Sequence, residues 1–271
     1  MGLTRCSKAI LKVLTVLLLD SCLTFFAQAQ NQPLAPAEKG PIETVEAPAG
    51  KTFAVFVAAY NPLTGQARGG VAGTAFFISK NKAITAYHVL QAQSFVPPEG
   101  FTQVQVWLVH ENEAAIELNF KNLSPHKEID LTFINLNQTT SIAEKYILKV
   151  GHENSPEMRP AVHTEGFLAN SVGPLLKRGA GQRLEITSVP KLVRLRANGA
   201  LLQSRLVNLQ ASDVRLHESA CYQLSYQPVV GLSGGPVLDG DEVIAMNSFA
   251  DPNTRGQTWA INLEAMASIF L

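Results

Sequence analysis

Ser233 stands in the hexapeptide Gly231-Leu232-Ser233-Gly234-Gly235-Pro236, a glycine-rich bend between two apolar runs. Glycines on both sides leave its hydroxyl open to a bulky substrate, and they free the backbone to aim successive N–H groups at one point. Such a segment offers a nucleophile together with an anion trap. The competing reading is a plain surface turn, because Ser and Gly are common turn formers. The chemistry therefore depends on partners elsewhere: a seryl nucleophile needs a base to take its proton and an acid to orient that base.

Chain order narrows those partners. The bend also satisfies the G-x-S-x-G elbow of α/β-hydrolases, but no His follows Ser233, so that order is disfavoured. An Asp-His-Ser order is disfavoured as well, since the only Asp ahead of His88 is Asp20, near the N-terminus. The order His, Asp, Ser survives. His88 ends the apolar strand-like run AITAYHVL (residues 83–90), which follows the polar turn at Ser79 to Lys82. The other five histidines, His110, His126, His152, His163 and His217, sit in polar or loop-like contexts. Asp130 opens the alternating run DLTFINL, whereas the competing acid Asp213 has a weaker strand after it.

These residues must be positioned by short strands. From Lys51 onward, runs at residues 52–59, 73–78, 83–85, 104–110, 116–120 and 130–136 read as strands between turn residues. A second set follows at 161–169, 184–188, 206–211, 220–226, 237–238 and 242–247. Two groups of about six strands predict an all-β chain of two packed six-stranded antiparallel barrels. The first covers about residues 51–140 and the second about 160–260. A helix is predicted at the end, within residues 262–271.

The first 29 residues differ. Arg5, Lys8 and Lys12 precede apolar stretches, and Ala27-Gln28-Ala29 has the form of a cleavage site, as in a secretory signal peptide. Its removal lowers the 22 basic and 22 acidic side chains to 19 and 21, a net charge of −2. A secreted or periplasmic location follows, with no membrane span once the signal is gone. Cleavage also removes Cys6 and Cys22, so Cys221 remains without a disulfide partner and reads as an inert thiol in a strand. Residues 30–50, rich in Pro, Ala, Gln and Glu, read as a flexible lead-in. With 46% hydrophobic and 16% charged residues, nothing in the composition points to nucleic acid. No H-E-x-x-H motif is present, and neither a metal nor a cofactor is expected.

TAYHV (residues 85–89), DLTFI (130–134) and GLSGGPV (231–237) together resemble the three motifs of chymotrypsin-like serine proteases, in the same order and at similar spacing. The likeness is greatest to bacterial trypsin-like peptidases of the HtrA/Deg and glutamyl-endopeptidase kind, here without a PDZ module. It implies a chymotrypsin-like fold and a serine endopeptidase acting on protein or peptide substrates through a His88-Asp130-Ser233 triad. It further implies an oxyanion hole from the N–H groups of Gly231 and Ser233, and a substrate-binding strand at Ser248, Phe249 and Ala250. Gln227 and Val230 would line the primary specificity pocket. Gln227 occupies the position of the trypsin branch's pocket-floor Asp, so strict Arg or Lys preference is not expected. Leu232 replaces the Asp that pairs with a freed N-terminus in the pancreatic branch, which argues against that zymogen switch. The alternative is a catalytically silent homologue that binds proteins through the same cleft.

Overall fold

The computed structural model describes residues 42–44, 50–65, 67–91, 102–137, 142–151, 161–169, 175–178, 184–188, 192–210, 214–251 and 257–266. All of them belong to one compact unit, Lys39–Leu271. In chain order the described strands of the first half are β1 (Ile42–Thr44), β2 (Thr52–Tyr60), β3 (Ala67–Ser79), β4 (Lys82–Ala86), β5 (Thr102–Val109), β6 (Ile116–Glu117), β7 (Leu123–His126), β8 (Leu131–Asn135) and β9 (Lys149–Val150). Helix α1 (Tyr87–Gln91) follows β4. The second half supplies β10 (Val162–Phe167), β11 (Leu175–Arg178), β12 (Leu184–Ser188), β13 (Arg194–Gly199), β14 (Leu201–Gln210), β15 (Arg215–Leu224), β16 (Pro236–Asp239), β17 (Glu242–Asp251) and β18 (Gln257–Asn262).

The molecule is all-β, in two main sheets. The first has the order β6-β5-β2-β3-β4-β8-β7. The second runs β1-β13-β10-β16-β17-β18-β15-β14, with β9 added in parallel to β17, while β11 and β12 pair separately. This is the two-sheet architecture that the chymotrypsin-like resemblance implies, with seven and nine strands in place of six and six.

Strand β2 explains how the sheets are joined. Its sequence TFAVFVAAY is apolar on both faces, as expected for a strand covered on both sides. Because side chains alternate, Phe53 and Val55 enter one core, which continues into the second sheet through Cys221, Met246 and Trp259. Ala54, Phe56, Ala58 and Tyr60 instead meet Phe167, Leu184 and Leu192 from the second half of the chain. One strand thus serves two cores.

Two local features set up the site. The β2–β3 ladder pairs Val55 with Gly73 and Phe56 with Val71, so an extra residue bulges β3 just ahead of Thr74. The β4–β8 ladder pairs Ala86 with Leu131, and the next bond, Tyr87 N–H to the Asp130 carbonyl at 3.0 Å, brings the start of α1 beside Asp130.

Several elements depart from the sequence reading. His88 lies in α1, a helix of five residues, instead of closing the preceding strand. One turn of helix is too short to show a 3.6-residue period. The lead-in contributes β1, whose Ile42, Glu43 and Thr44 pair with Ala197, Arg196 and Leu195. Strand β13 was hidden by its charged and polar residues, and β14 begins five residues earlier than predicted. At the tail a 3₁₀ turn covers Glu264–Met266, and residues 267–271 lie outside the described ones, as does the signal segment.

Candidate active site

Asp130 is fully buried and lies one residue ahead of β8. Its backbone has φ of +49°, a left-handed conformation that Asp tolerates better than most side chains. Its carboxylate meets three groups. His88 Nδ1 lies 2.9 Å from Oδ2 and 3.1 Å from Oδ1, the His88 backbone N–H donates to Oδ1 at 2.9 Å, and the Ser248 hydroxyl donates to Oδ2. Holding both the ring and the backbone of His88 leaves the imidazole little freedom to turn. With Nδ1 against the carboxylate, Nε2 is the ring nitrogen turned away from Asp130. The His88 side chain is 14% exposed, so the ring reaches solvent while its partner does not.

Ser233 enters the same cluster from the second sheet. Its hydroxyl donates to the Ser248 carbonyl at 3.5 Å, so Ser248 touches Asp130 with its side chain and Ser233 with its backbone. The Ser233 carbonyl accepts the Thr74 N–H at 2.8 Å, which fastens the loop to the bulge in β3.

Around Ser233 each peptide plane has its own anchor. The Val230 carbonyl accepts the Ala169 N–H at 3.0 Å, and the Leu232 carbonyl accepts the Gly235 N–H at 2.8 Å. In a planar trans peptide the N–H points opposite to the carbonyl. The N–H of Gly231 is therefore turned away from Ala169, and that of Ser233 away from Gly235. Among the described residues neither N–H has a hydrogen-bond partner in the protein. Gly231 has φ of +106°, and a Cβ there would lie 2.1 Å from the Phe167 carbonyl oxygen and 2.5 Å from the Ala169 nitrogen. No side chain fits at that position. Leu232 is buried, with its side chain close to Gly166.

The remaining sequence-predicted residues flank this loop. Gln227 is half-buried, Val230 is 59% exposed and Ala250 is exposed. Phe249 stacks on Trp259 with ring centres 6.2 Å apart. Ser248, Phe249 and Ala250 lie within β17, whose far neighbour β18 pairs Phe249 with Trp259 and Ala250 with Thr258.

Sequence reasoning missed two groups. Thr74 is one; a buried Thr beside Gly73 in an otherwise apolar strand was the available signal. The other is a buried chain in which Tyr226 Oη donates to Asn247 Oδ1 at 2.5 Å and Asn247 Nδ2 donates to Thr164 Oγ1 at 2.5 Å. Burial pushes the Tyr226 hydroxyl well above the ordinary tyrosine range, so it stays protonated. Only the fold brings these three together. Cys221 is buried, and burial, with the nearby Asp130 charge, pushes its thiol up to about 12. Among the described residues no group of three or more His, Cys, Asp or Glu side chains converges as a metal site, and no helix is long and apolar enough to cross a membrane.

No family model and no curated protein matches the chain. Solved structures do resemble it. The MamO protease domain from Magnetospirillum magneticum has 12% identity and a TM-score of 0.49 over 79% of this chain and 94% of that one. The active form of the Rv3671c protease from M. tuberculosis has 14% identity and a TM-score of 0.47 over 88% and 92%. Deg5 has 14% identity and a TM-score of 0.47 over 81% and 87%.

Proposed function

We propose that the protein is a serine endopeptidase, with Ser233 as nucleophile, His88 as general base and acid, and Asp130 as the group that orients and stabilises the imidazole. One observation carries this reading: the buried Asp130 carboxylate holds His88 through Nδ1, and Ser248 links the same carboxylate to Ser233.

In the reaction Ser233 Oγ attacks the scissile carbonyl carbon while its proton passes to His88 Nε2. Negative charge forms on the carbonyl oxygen and is received by the N–H groups of Gly231 and Ser233. Their value lies in being aimed before the charge appears, since a preorganised donor needs no rearrangement at the moment of reaction. When the C–N bond breaks, the imidazolium gives its proton to the leaving amine. Water, deprotonated by the same imidazole, then attacks the acyl-enzyme and restores Ser233.

Extended substrate backbone would lie along Ser248, Phe249 and Ala250 as an added strand. None of Gln227, Val230, Ser248, Phe249 and Ala250 carries a charge, so a charged side chain at the cleavage position would be buried without a counter-ion, which is costly. The reading favours cleavage after small or apolar residues. Residues 1–29 would direct the chain out of the cytoplasm and be removed, leaving it secreted or periplasmic.

Mass-spectrometric mapping of peptides from an unfolded protein, incubated with the chain and with Ser233→Ala, tests the proposal. New termini are expected with the parent only, clustered after small or apolar residues. Identical peptide maps from the two proteins would overturn it.

A further inference from the structure

We infer that Thr74, a residue of the half that carries His88 and Asp130, is the positioning residue that sets the oxyanion loop of the other half. The inference rests on the endopeptidase reading above.

The hydroxyl, N–H and carbonyl of Thr74 each have a partner, and three of the four bonds cross to the second half of the chain. Its hydroxyl donates to the Gly231 carbonyl at 2.7 Å and accepts the Phe167 N–H at 3.2 Å. Its N–H donates to the Ser233 carbonyl at 2.8 Å, and its own carbonyl accepts the Thr85 hydroxyl at 2.7 Å. Thr74 is fully buried, so water does not compete for these bonds. The surroundings are cleared to admit it. A Cβ on Gly166 would lie 2.6 Å from Thr74 Oγ1, and one on Gly234 would lie 2.2 Å from the Thr74 carbonyl oxygen.

The hydroxyl matters because of the residue it holds. A glycine at φ of +106° has no side chain to restrict it, so the direction of its N–H is set by what anchors the peptides on either side. The preceding peptide is held by Ala169 and the 232–233 peptide by Gly235, in both cases through bonds to backbone groups of the second half of the chain. The carbonyl of the intervening 231–232 peptide is held by the Thr74 hydroxyl. Removing that hydroxyl leaves two buried groups, the Gly231 carbonyl and the Phe167 N–H, without their partner. The Leu232 N–H bond to the Val229 carbonyl at 3.1 Å is then the only anchor left on that peptide among the described residues, and a tilt about it toward a new partner for the carbonyl carries the N–H groups on both sides off their common target. Thr74 touches neither substrate nor reacting atoms and acts through Gly231.

The test is the rate at which a fluorophosphonate probe inactivates the mature chain, resolved into the maximal rate kinact and the half-saturation concentration KI. Its phosphoryl oxygen would occupy the oxyanion position. Relative to the parent, Thr74→Val is expected to lose between tenfold and a hundredfold in kinact with KI unchanged, and Thr74→Ser is expected to recover to within about threefold. Melting temperature and near-UV circular dichroism establish that each variant is folded. Should Thr74→Val fail to fold, Thr74→Ala takes its place under the same tenfold criterion. A folded hydroxyl-free variant inactivated at the parental rate overturns the role of Thr74, and so does a loss that appears in KI alone or that Thr74→Ser does not recover. Failure of the parent itself to react would instead overturn the endopeptidase reading, so the two failures are distinguishable.

Discussion

The two halves of the site are built in opposite ways. In the first sheet a regular ladder, β4 on β8, delivers His88 and Asp130, and the pair is then locked by hydrogen bonds to one buried carboxylate. In the second sheet Ser233 sits on an irregular loop with positive φ at Gly231 and Gly234, fixed almost entirely through backbone atoms. On the proposed reading, the acid–base half therefore depends on side-chain chemistry, and the nucleophile half on backbone conformation. A change that alters charge but not shape should damage the first, and a change that adds a single methyl group should damage the second.

The largest effects are expected at the two groups proposed to exchange the proton. Ser233→Ala and His88→Ala should each lower kcat by about a million-fold, with the double variant no lower, because groups acting as a unit are not additive. A double variant far below either single one would separate the halves that this account joins. Next comes the orienting acid: Asp130→Asn should lower kcat by about ten-thousand-fold with the melting curve preserved. Asp213→Asn, at a position outside the described residues, should leave kcat unchanged. Were the two results exchanged, the first half would have been assigned to the wrong acid.

Gly231→Ala probes the second half. The added Cβ must displace the Phe167 carbonyl or twist the loop, and losing one oxyanion donor costs about a hundred- to a thousand-fold in kcat. KM should move far less, which steady-state kinetics will read directly.

A smaller effect compares the halves through stability. His110, after β5, donates from Nε2 to the Gly50 carbonyl at 2.9 Å and accepts the Asn112 N–H at Nδ1, so its folded form is neutral. Burial holds its pKa below the ordinary histidine value, against the raising effect of the Gly50 bond. His163 in β10 is lowered likewise, by burial first and then by Arg196. With both folded values below the unfolded one of about 6.5, the unfolded chain binds protons more readily. Their contribution to stability is complete above about pH 6.5 and is lost as the pH falls. Melting temperatures taken from pH 8 to pH 5 should decline on the acid side, and His110→Gln should flatten the decline more than His163→Gln, since His110 is the more buried. A melting temperature that rises toward acid would contradict the assignment.

How much of this could be read beforehand differs between the halves too. A continuous apolar run, TFAVFVAAY, marked β2, and alternation in DLTFINL marked β8. The residues His88, Asp130 and Ser233 stood out by type, order and flanks, and the fold brings all three to Ser248 or Asp130. Thr74 left little trace. Its role depends on a bulge in β3 and on the docking of two sheets, and neither is encoded locally. The same holds for Tyr226, Asn247 and Thr164, which come from three separated stretches of chain. β1 went unseen because a three-residue strand within a Pro- and Glu-rich segment has no periodicity to detect.

The most direct measurement is to treat the purified mature chain with a fluorophosphonate and locate the adduct by tryptic mass spectrometry. The account predicts a single stoichiometric adduct on Ser233, absent from Ser233→Ala and strongly reduced in His88→Ala. A folded chain that remains unmodified at Ser233, or is modified equally well without His88, would contradict it.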